Sequence, residues 1–215
     1  MKRKYQLLIF DWDGTLMDSA QHITNCMRSA ITELGAEPRD DEQIRNIIGL
    51  GLEEAVLALY PGVGSPFIKK IAESFREHFL FKDNTPSPLF EGVGDLLEGL
   101  KLEGYDLAIA TGKSRRGLDK VLSDTGFGAF FPVTRCADET FSKPHPQMLH
   151  ELLTDYNMHA KDAIMIGDSE YDLQMANNAN MHSLAVSYGV HEVPRLLAQQ
   201  PIGCVDNVKE ISNWI

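Results

Sequence analysis

The 215-residue sequence predicts an α/β protein: a doubly wound, Rossmann-like parallel sheet with an all-helical stretch inserted after its first strand. Three observations carry that expectation. A short apolar run at residues 5–10 precedes any helical pattern. Residues 18–82 then read as helix after helix, with no convincing strand. Beyond residue 83, strand and helix patterns alternate to the C-terminus. Alternation of this kind implies crossover connections and parallel strands, and the first strand must rejoin that sheet across the helical stretch. The expected units are therefore a core of residues 1–17 and 83–215 and an inserted helical domain of residues 18–82.

The elements follow in order. Residues 5–10 form a buried strand. In 18–34, Ile23, Met27, Ala30, Ile31 and Leu34 share one helix face, and Gly35 suits the stop. Two short helices are expected at 40–48 and 52–59, punctuated by Gly49 and Gly51. A stronger amphipathic helix covers 67–81, with Ile68, Ile71, Ala72, Phe75 and Phe79 at three- and four-residue steps. Thr85-Pro86-Ser87-Pro88 is a linker. Helices are then expected at 92–102, 114–124, 144–156, 170–178, 193–199 and 208–214. Strands are expected at 105–110, 131–136, 163–166 and 183–186.

Composition narrows the function. With 43% hydrophobic and 24% charged residues, the chain has the makeup of an ordinary globular protein, not a disordered one. Thirty-one acidic residues against 20 basic ones give a net charge of −11. That balance disfavours a nucleic-acid partner, which needs a basic footprint, and an anionic membrane surface. No apolar run approaches a membrane span, and the run after Met1-Lys2-Arg3-Lys4 meets Asp11 and Asp13 too soon for a signal peptide. Cys26, Cys136 and Cys204 form no metal spacing and no disulfide framework, which suits a reducing cytoplasm. His78, His145, His150, His159, His182 and His191 form no zinc spacing.

In doubly wound sheets, reactive residues collect at the carboxyl ends of strands. The first strand ends in Asp11-Trp12-Asp13-Gly14-Thr15, the second core strand in Ala110-Thr111-Gly112-Lys113, and the strand at 163–166 in Gly167-Asp168-Ser169-Glu170-Tyr171-Asp172. A helix is expected to open at Ser142-Lys143-Pro144. Asp11, Asp13, Asp168 and Asp172 in one crevice repel one another unless a cation sits among them. Hard oxygen donors of this kind suit Mg²⁺ and also Mn²⁺. Lys143 adds a fixed positive charge and Thr111 a hydroxyl, so the set describes a holder for a tetrahedral oxyanion. Two competing motifs fail. Gly112-Lys113-Ser114 ends like a phosphate-binding loop, but its required earlier glycine position is Leu107; Gly49-Leu50-Gly51 begins a dinucleotide fingerprint, but its third glycine position is Glu54.

On these residues the sequence resembles the haloacid dehalogenase-like hydrolases. The first motif is Asp11-Trp12-Asp13-Gly14-Thr15-Leu16 with Asp18-Ser19 behind it; Thr111 is the second, Lys143 with Pro144-His145-Pro146 the third, and Gly167-Asp168-Ser169 with Asp172 the fourth. The inserted helices match the cap of the phosphoglycolate phosphatase-like and β-phosphoglucomutase-like branch. The resemblance implies that Asp11 is a nucleophile forming an aspartyl-phosphate and Asp13 the acid/base. It implies that the Asp11 side chain, the Asp13 backbone carbonyl and Asp168 hold Mg²⁺, with Asp172 in support. Thr111 and Lys143 would bind the phosphoryl group. Dehalogenases and phosphonoacetaldehyde hydrolases of this family lack an aspartate at the Asp13 position, so phosphoryl chemistry is expected. Mutase-type members carry a cap histidine where this chain has Ile23, with His22 beside it, and phosphoglycolate phosphatase-like members often have Asn where it has Gly112.

The expected activity is thus phosphomonoester hydrolysis of a small phosphorylated metabolite by a cytoplasmic monomer or homodimer. A phosphosugar mutase and a non-catalytic binding module are the alternatives. Cap closure would exclude water, with hinges near Ser19 and 85–88. Expected specificity positions lie around residues 49–53, Gly51 among them, and at Gly112, Lys113, Arg115 and Arg116, whose cations suit a second anionic group.

Overall fold

Leu7–Phe10 form β1, and all four residues are buried because the strand is covered on both faces. A computed structural model describes residues 3–215. Among them, β1 is the middle of a parallel sheet completed by β2 (Asp106–Thr111), β3 (Val133–Cys136), β4 (Ala163–Gly167), β5 (His182–Val186) and β6 (Cys204–Val205), in the order β3-β2-β1-β4-β5-β6. Leu8 and Phe10 point to one apolar layer with Leu107, Ile109, Ile164 and Ile166. Leu7 and Ile9 point to the other, with Ala108, Ala110 and Met165. This two-sided burial explains why the strands read as continuous apolar runs.

Between β1 and the rest of the sheet lie α1 (Ala20–Glu33), α2 (Asp41–Asn46), α3 (Leu52–Leu59) and α4 (Ser65–Glu77). Their apolar faces meet in a cluster of their own, including Met27, Ile31, Ile44, Val56, Leu59 and Ile71. Asp40 caps α2 through a reciprocal pair with Gln43. The sheet is flanked by α5 (Val93–Leu102), α6 (Arg115–Thr125), α7 (Gln147–Asp155), α8 (Glu170–Asn178) and α9 (Val193–Leu197). Among the described residues no helix is long and apolar enough to cross a membrane.

Four features depart from the periodicity. The helix expected to 81 ends as α at Glu77 and continues as a π turn, His78–Lys82, where Phe79 stacks on Phe75 and His22. The helix expected from 144 begins at Gln147, because Pro144 and Pro146 bring no N–H and restrict the residues before them. The C-terminal helix is a 3₁₀ segment, Val208–Asn213, and β6 has two residues, too few for a periodic signal.

Ile71 is fully buried in the inserted helices' own cluster. Ile71→Ala is expected to cost about 2–5 kcal/mol. An unchanged urea midpoint would show that this cluster does not hold the insertion together.

Candidate active site

The order of the sheet reverses at β1, between β2 and β4, and that switch point leaves a crevice at the strands' carboxyl ends. Asp11 extends β1 by one residue, its N–H bonded to Ile166 O at 3.0 Å. Its carboxylate is therefore fixed where the chain leaves the sheet. Gly14 turns the chain at φ +79°, and a Cβ there would lie 2.1 Å from an Asp168 oxygen. Thr111 ends β2, Asp168 follows β4, and Lys143 reaches in from the segment before α7. The four segments that sequence reasoning set at one sheet edge do meet there.

Three carboxylates, Asp11, Asp168 and Asp172, lie with oxygens within 4.8 Å of one another, all buried. Lys143 Nζ stands between two of them, 2.8 Å from Asp11 Oδ1 and 2.6 Å from Asp172 Oδ1. Asp168 accepts bonds from Thr15 Oγ1 and Val190 N, each at 2.8 Å. The other oxygen of Asp172 accepts from Ser169 N and Oγ, so one carboxylate both caps α8 and anchors Lys143. Asp11 Oδ2, by contrast, has neither a hydrogen bond nor an ion-pair partner among the described residues. Three negative charges and one positive leave a buried excess of two, and an unpartnered buried carboxylate oxygen is costly. This donor set fits a hard divalent cation.

The protonation preferences agree. Burial, opposed by Lys143 and aided by Asp172 and Asp13, pushes Asp11 from 3.8 up to about 7. Burial and the neighbouring Asp172 and Asp11 raise Asp168 well above the usual carboxylate range. Burial opposes the charge of Lys143, but Asp11 and Asp172 outweigh it and raise its pKa. Lys143 is a permanent cation.

Asp13 belongs to a second charge pair. Its Oδ1 accepts from Ser19 Oγ at 2.5 Å and lies 2.9 Å from Lys113 Nζ, which also sits 4.4 Å over the Phe79 ring. Asp13 stands outside the three-carboxylate cluster but lines the same cavity as Asp11. Thr111 Oγ1 accepts from Lys113 N at 3.2 Å, leaving its own O–H free to donate.

A cavity opens from Asp11 and Asp13 towards the inserted helices, walled by Ile23, Met27, Ile48, Leu50 and Phe79, with Gly112 and Lys113 on the sheet side. Gly112 touches the insertion: a Cβ would lie 2.5 Å from Leu50 O and 2.6 Å from Gly49 O. Gly51 faces the core, where its N–H bonds to Ser142 Oγ at 2.7 Å, and it lines a neighbouring cleft shared with Arg76 and Gly112. Arg115 pairs with Glu139 and Asp119 on the surface. Arg116 is exposed, stacks over Phe81, and is outside the lining of the cavity that holds Asp11. The geometry thus favours Lys113 and Gly112 over Arg116 as substrate-facing positions. Sequence reasoning gave no role to Thr15, Ser19 as partner of Asp13, or Val190. Ser19 and Thr15 were legible as hydroxyls beside the first motif; a backbone N–H such as Val190 carries no sequence signal.

A doubly wound parallel sheet with helices inserted after β1 and aspartates gathered at its strand ends defines an α/β fold with a buried carboxylate site. The sequence profile described as haloacid dehalogenase-like hydrolase matches residues 8–186. "Probable phosphatase IndB" of Dickeya dadantii is 34% identical over 211 residues, covering 95% of this chain and 91% of that protein. Phosphoglycolate phosphatase of Nitrosococcus oceani is 29% identical, over 100% of this chain and 98% of its own. The crystal structure of a predicted phosphatase from Clostridium acetobutylicum superposes with a TM-score of 0.89 at 25% identity, covering 98% of each chain. The chain belongs to the haloacid dehalogenase-like hydrolases.

Because Asp11 keeps its proton in the fold up to about pH 7 but only to 3.8 when unfolded, its stabilising effect is complete below 3.8 and is lost as pH rises through 7. In chelator, Asp11→Asn is therefore expected to gain thermal stability relative to wild type as pH rises from 4 to 7. Added Mg²⁺ should narrow that gap. A difference in Tm that stays flat across the window, with and without metal, would contradict the charge assignment.

Proposed function

We propose that this chain is a Mg²⁺-dependent phosphatase that hydrolyses a small phosphomonoester through an aspartyl-phosphate on Asp11. The observation that carries this reading is the free carboxylate oxygen of Asp11, held at the switch point beside a permanently charged lysine. The relatives named phosphatase and phosphoglycolate phosphatase support it, and they make phosphoglycolate-like metabolites the first substrates to test.

In the first step an Asp11 oxygen attacks phosphorus, and the bond from phosphorus to the leaving oxygen breaks. Asp13, oriented by Ser19 and Lys113, gives the leaving oxygen its proton. In the second step Asp13 takes a proton from water, whose oxygen attacks phosphorus and releases Asp11 and phosphate. Lys143 and the Thr111 hydroxyl offset and orient the charge of the transferring group. Asp11, Asp168 and the Asp13 backbone carbonyl would hold Mg²⁺, with Asp172 fixing Lys143 at their side. When bound, the ion supplies Lewis-acid stabilisation of the phosphoryl oxygens, and Mn²⁺ suits the same donors.

Residues 18–82 act in this reading as a cap that closes over the core of 1–17 and 83–215 and excludes water. Its seating at residues 46–51 supports that role: Tyr171 Oη donates to Asn46 O at 2.9 Å, and Gly51 bonds to Ser142. Ile23, in the cavity wall, offers no proton carrier, which favours hydrolysis over a mutase. All the assigned groups come from one chain, so the reading needs no second copy; monomer and homodimer both accommodate it. The free cysteines suit the cytoplasm.

The test is phosphate release from phosphoglycolate, hexose phosphates, nucleoside monophosphates and pyrophosphate, with Mg²⁺ or chelator. Mg²⁺-dependent release concentrated on one compound is expected. Asp11→Asn should lower kcat at least about 10³-fold. Asp13→Asn should lower it roughly 10²–10⁴-fold with the fold intact. Wild-type turnover by Asp11→Asn would overturn the mechanism.

A further inference from the structure

A second group of metal-ligating side chains lies outside the catalytic crevice. His22 and Cys26 are four residues apart on α1, and so on one face of the helix. Asp83 arrives from the segment that leads the chain back from the inserted helices to the core. A ring nitrogen of His22, the Cys26 sulfur and an Asp83 oxygen all lie within 4.8 Å of one another. No spacing among the cysteines or histidines alone announces this group, because its ligands are of three kinds and come from two segments.

The detailed geometry is that of ligands rather than of a hydrogen-bond network. His22 Nε2 is buried and has no hydrogen-bond partner among the described residues. Asp83 Oδ1 stands 3.7 Å from it, too far for a hydrogen bond. Two ligands each about 2.1 Å from one tetrahedral ion stand about 3.4 Å apart. The outer contacts also hold the ligands in place. His22 Nδ1 is 3.2 Å from Ser87 Oγ, the ring stacks on Phe79 at 4.6 Å, and Asp83 Oδ1 accepts from Thr85 N at 2.8 Å. Metal-binding histidines and carboxylates are oriented by such partners. A cleft lined by His22, Asp83, Ser87, Lys120 and Asp124 provides an entry path.

We propose that His22, Cys26 and Asp83 form a site for a borderline-soft divalent ion of the zinc class, separate from the all-oxygen cluster around Asp11. On binding, the Cys26 thiol proton passes to solvent and the sulfur bonds the ion as thiolate. Three protein ligands leave a fourth position for water. The ion would join α1 to the return segment, the two places where the chain crosses between insertion and core. Ser19, the N-cap of α1, holds Asp13, so the site sits on the helix that positions the proposed acid/base.

Cobalt is the probe, because thiolate ligation gives a sulfur-to-metal charge-transfer band that an oxygen-only site cannot produce. Titrating the full chain with Co²⁺ in saturating Mg²⁺ should develop that band to one ion per chain, and Zn²⁺ should abolish it by competition. Cys26→Ser should lose the band. His22→Gln and Asp83→Asn should weaken Co²⁺ binding at least roughly tenfold. Asp11→Asn should keep the band. Asp83 is partly exposed, so Asp83→Asn carries the test even where Cys26→Ser fails to fold. No sulfur band in the wild-type protein, a band that persists in Cys26→Ser, or unchanged affinity in Asp83→Asn would each overturn the site, and none of these outcomes bears on the phosphatase reading.

Discussion

The burial of three carboxylates against a single lysine is the constraint on which the rest of the structure depends. Asp11, Asp168 and Asp172 are at most 1% exposed, and Lys143 is equally buried. Such a group is unfavourable unless every remaining lone pair is met and the excess charge has a counter-ion. The fold meets the first condition at Asp168 and Asp172 with neutral donors drawn from distant parts of the chain, Thr15, Ser169 and Val190, and leaves one oxygen of Asp11 unmet among the described residues. Those contacts fix the relative positions of the β1, β4 and β5 ends more tightly than strand pairing alone would. The second condition is left to a cation and to substrate. A site that is electrostatically incomplete on its own is also one that responds to what enters it.

Most of the core was legible because its physics is local. Strands covered on both faces must be apolar throughout, and helices that cover them must be apolar on one side, so β1, β2, β4 and their helices stand out. The carboxylates were legible because doubly wound sheets put chemistry at strand ends, and there the residue types are unmistakable. What stayed hidden was set by contacts between remote segments. The pairing of Lys113 with Asp13 depends on the turn after β2 reaching the loop after β1. The π turn at His78–Lys82 depends on Phe79 finding Phe75 and His22. The Val190 N–H has no side-chain signature at all, and β6 is too short to have a period.

The inserted helices are fitted to the core by backbone as much as by side chains. Leu50 O and Gly49 O approach Gly112 so closely that only glycine leaves room. This accounts physically for Gly112: the space next to Thr111 is taken by the insertion's own main chain. The side chains this leaves to line the cavity are the apolar wall and Lys113, with no amide at the end of β2.

The two charge systems divide the chemistry between them. Lys113 and Ser19 hold the carboxyl group of Asp13, the proposed acid/base, at the edge of the cluster, where its charge still reaches Asp11. The cluster sets three carboxyl groups, Asp11, Asp168 and Asp172, against the single cation Lys143, and burial holds Asp11 and Asp168 back from the full ionisation that would leave an excess of two negative charges. A phosphomonoester is itself close to a dianion near neutral pH, and in a crevice of low dielectric the two would repel over the full distance of approach. Removing one carboxylate would ease that repulsion but would take away the proposed nucleophile, a proposed cation ligand or the anchor of Lys143. In the proposed reading the fold keeps all three and leaves neutralisation to a divalent cation, so that affinity for substrate and readiness to react would be set by the same charge balance.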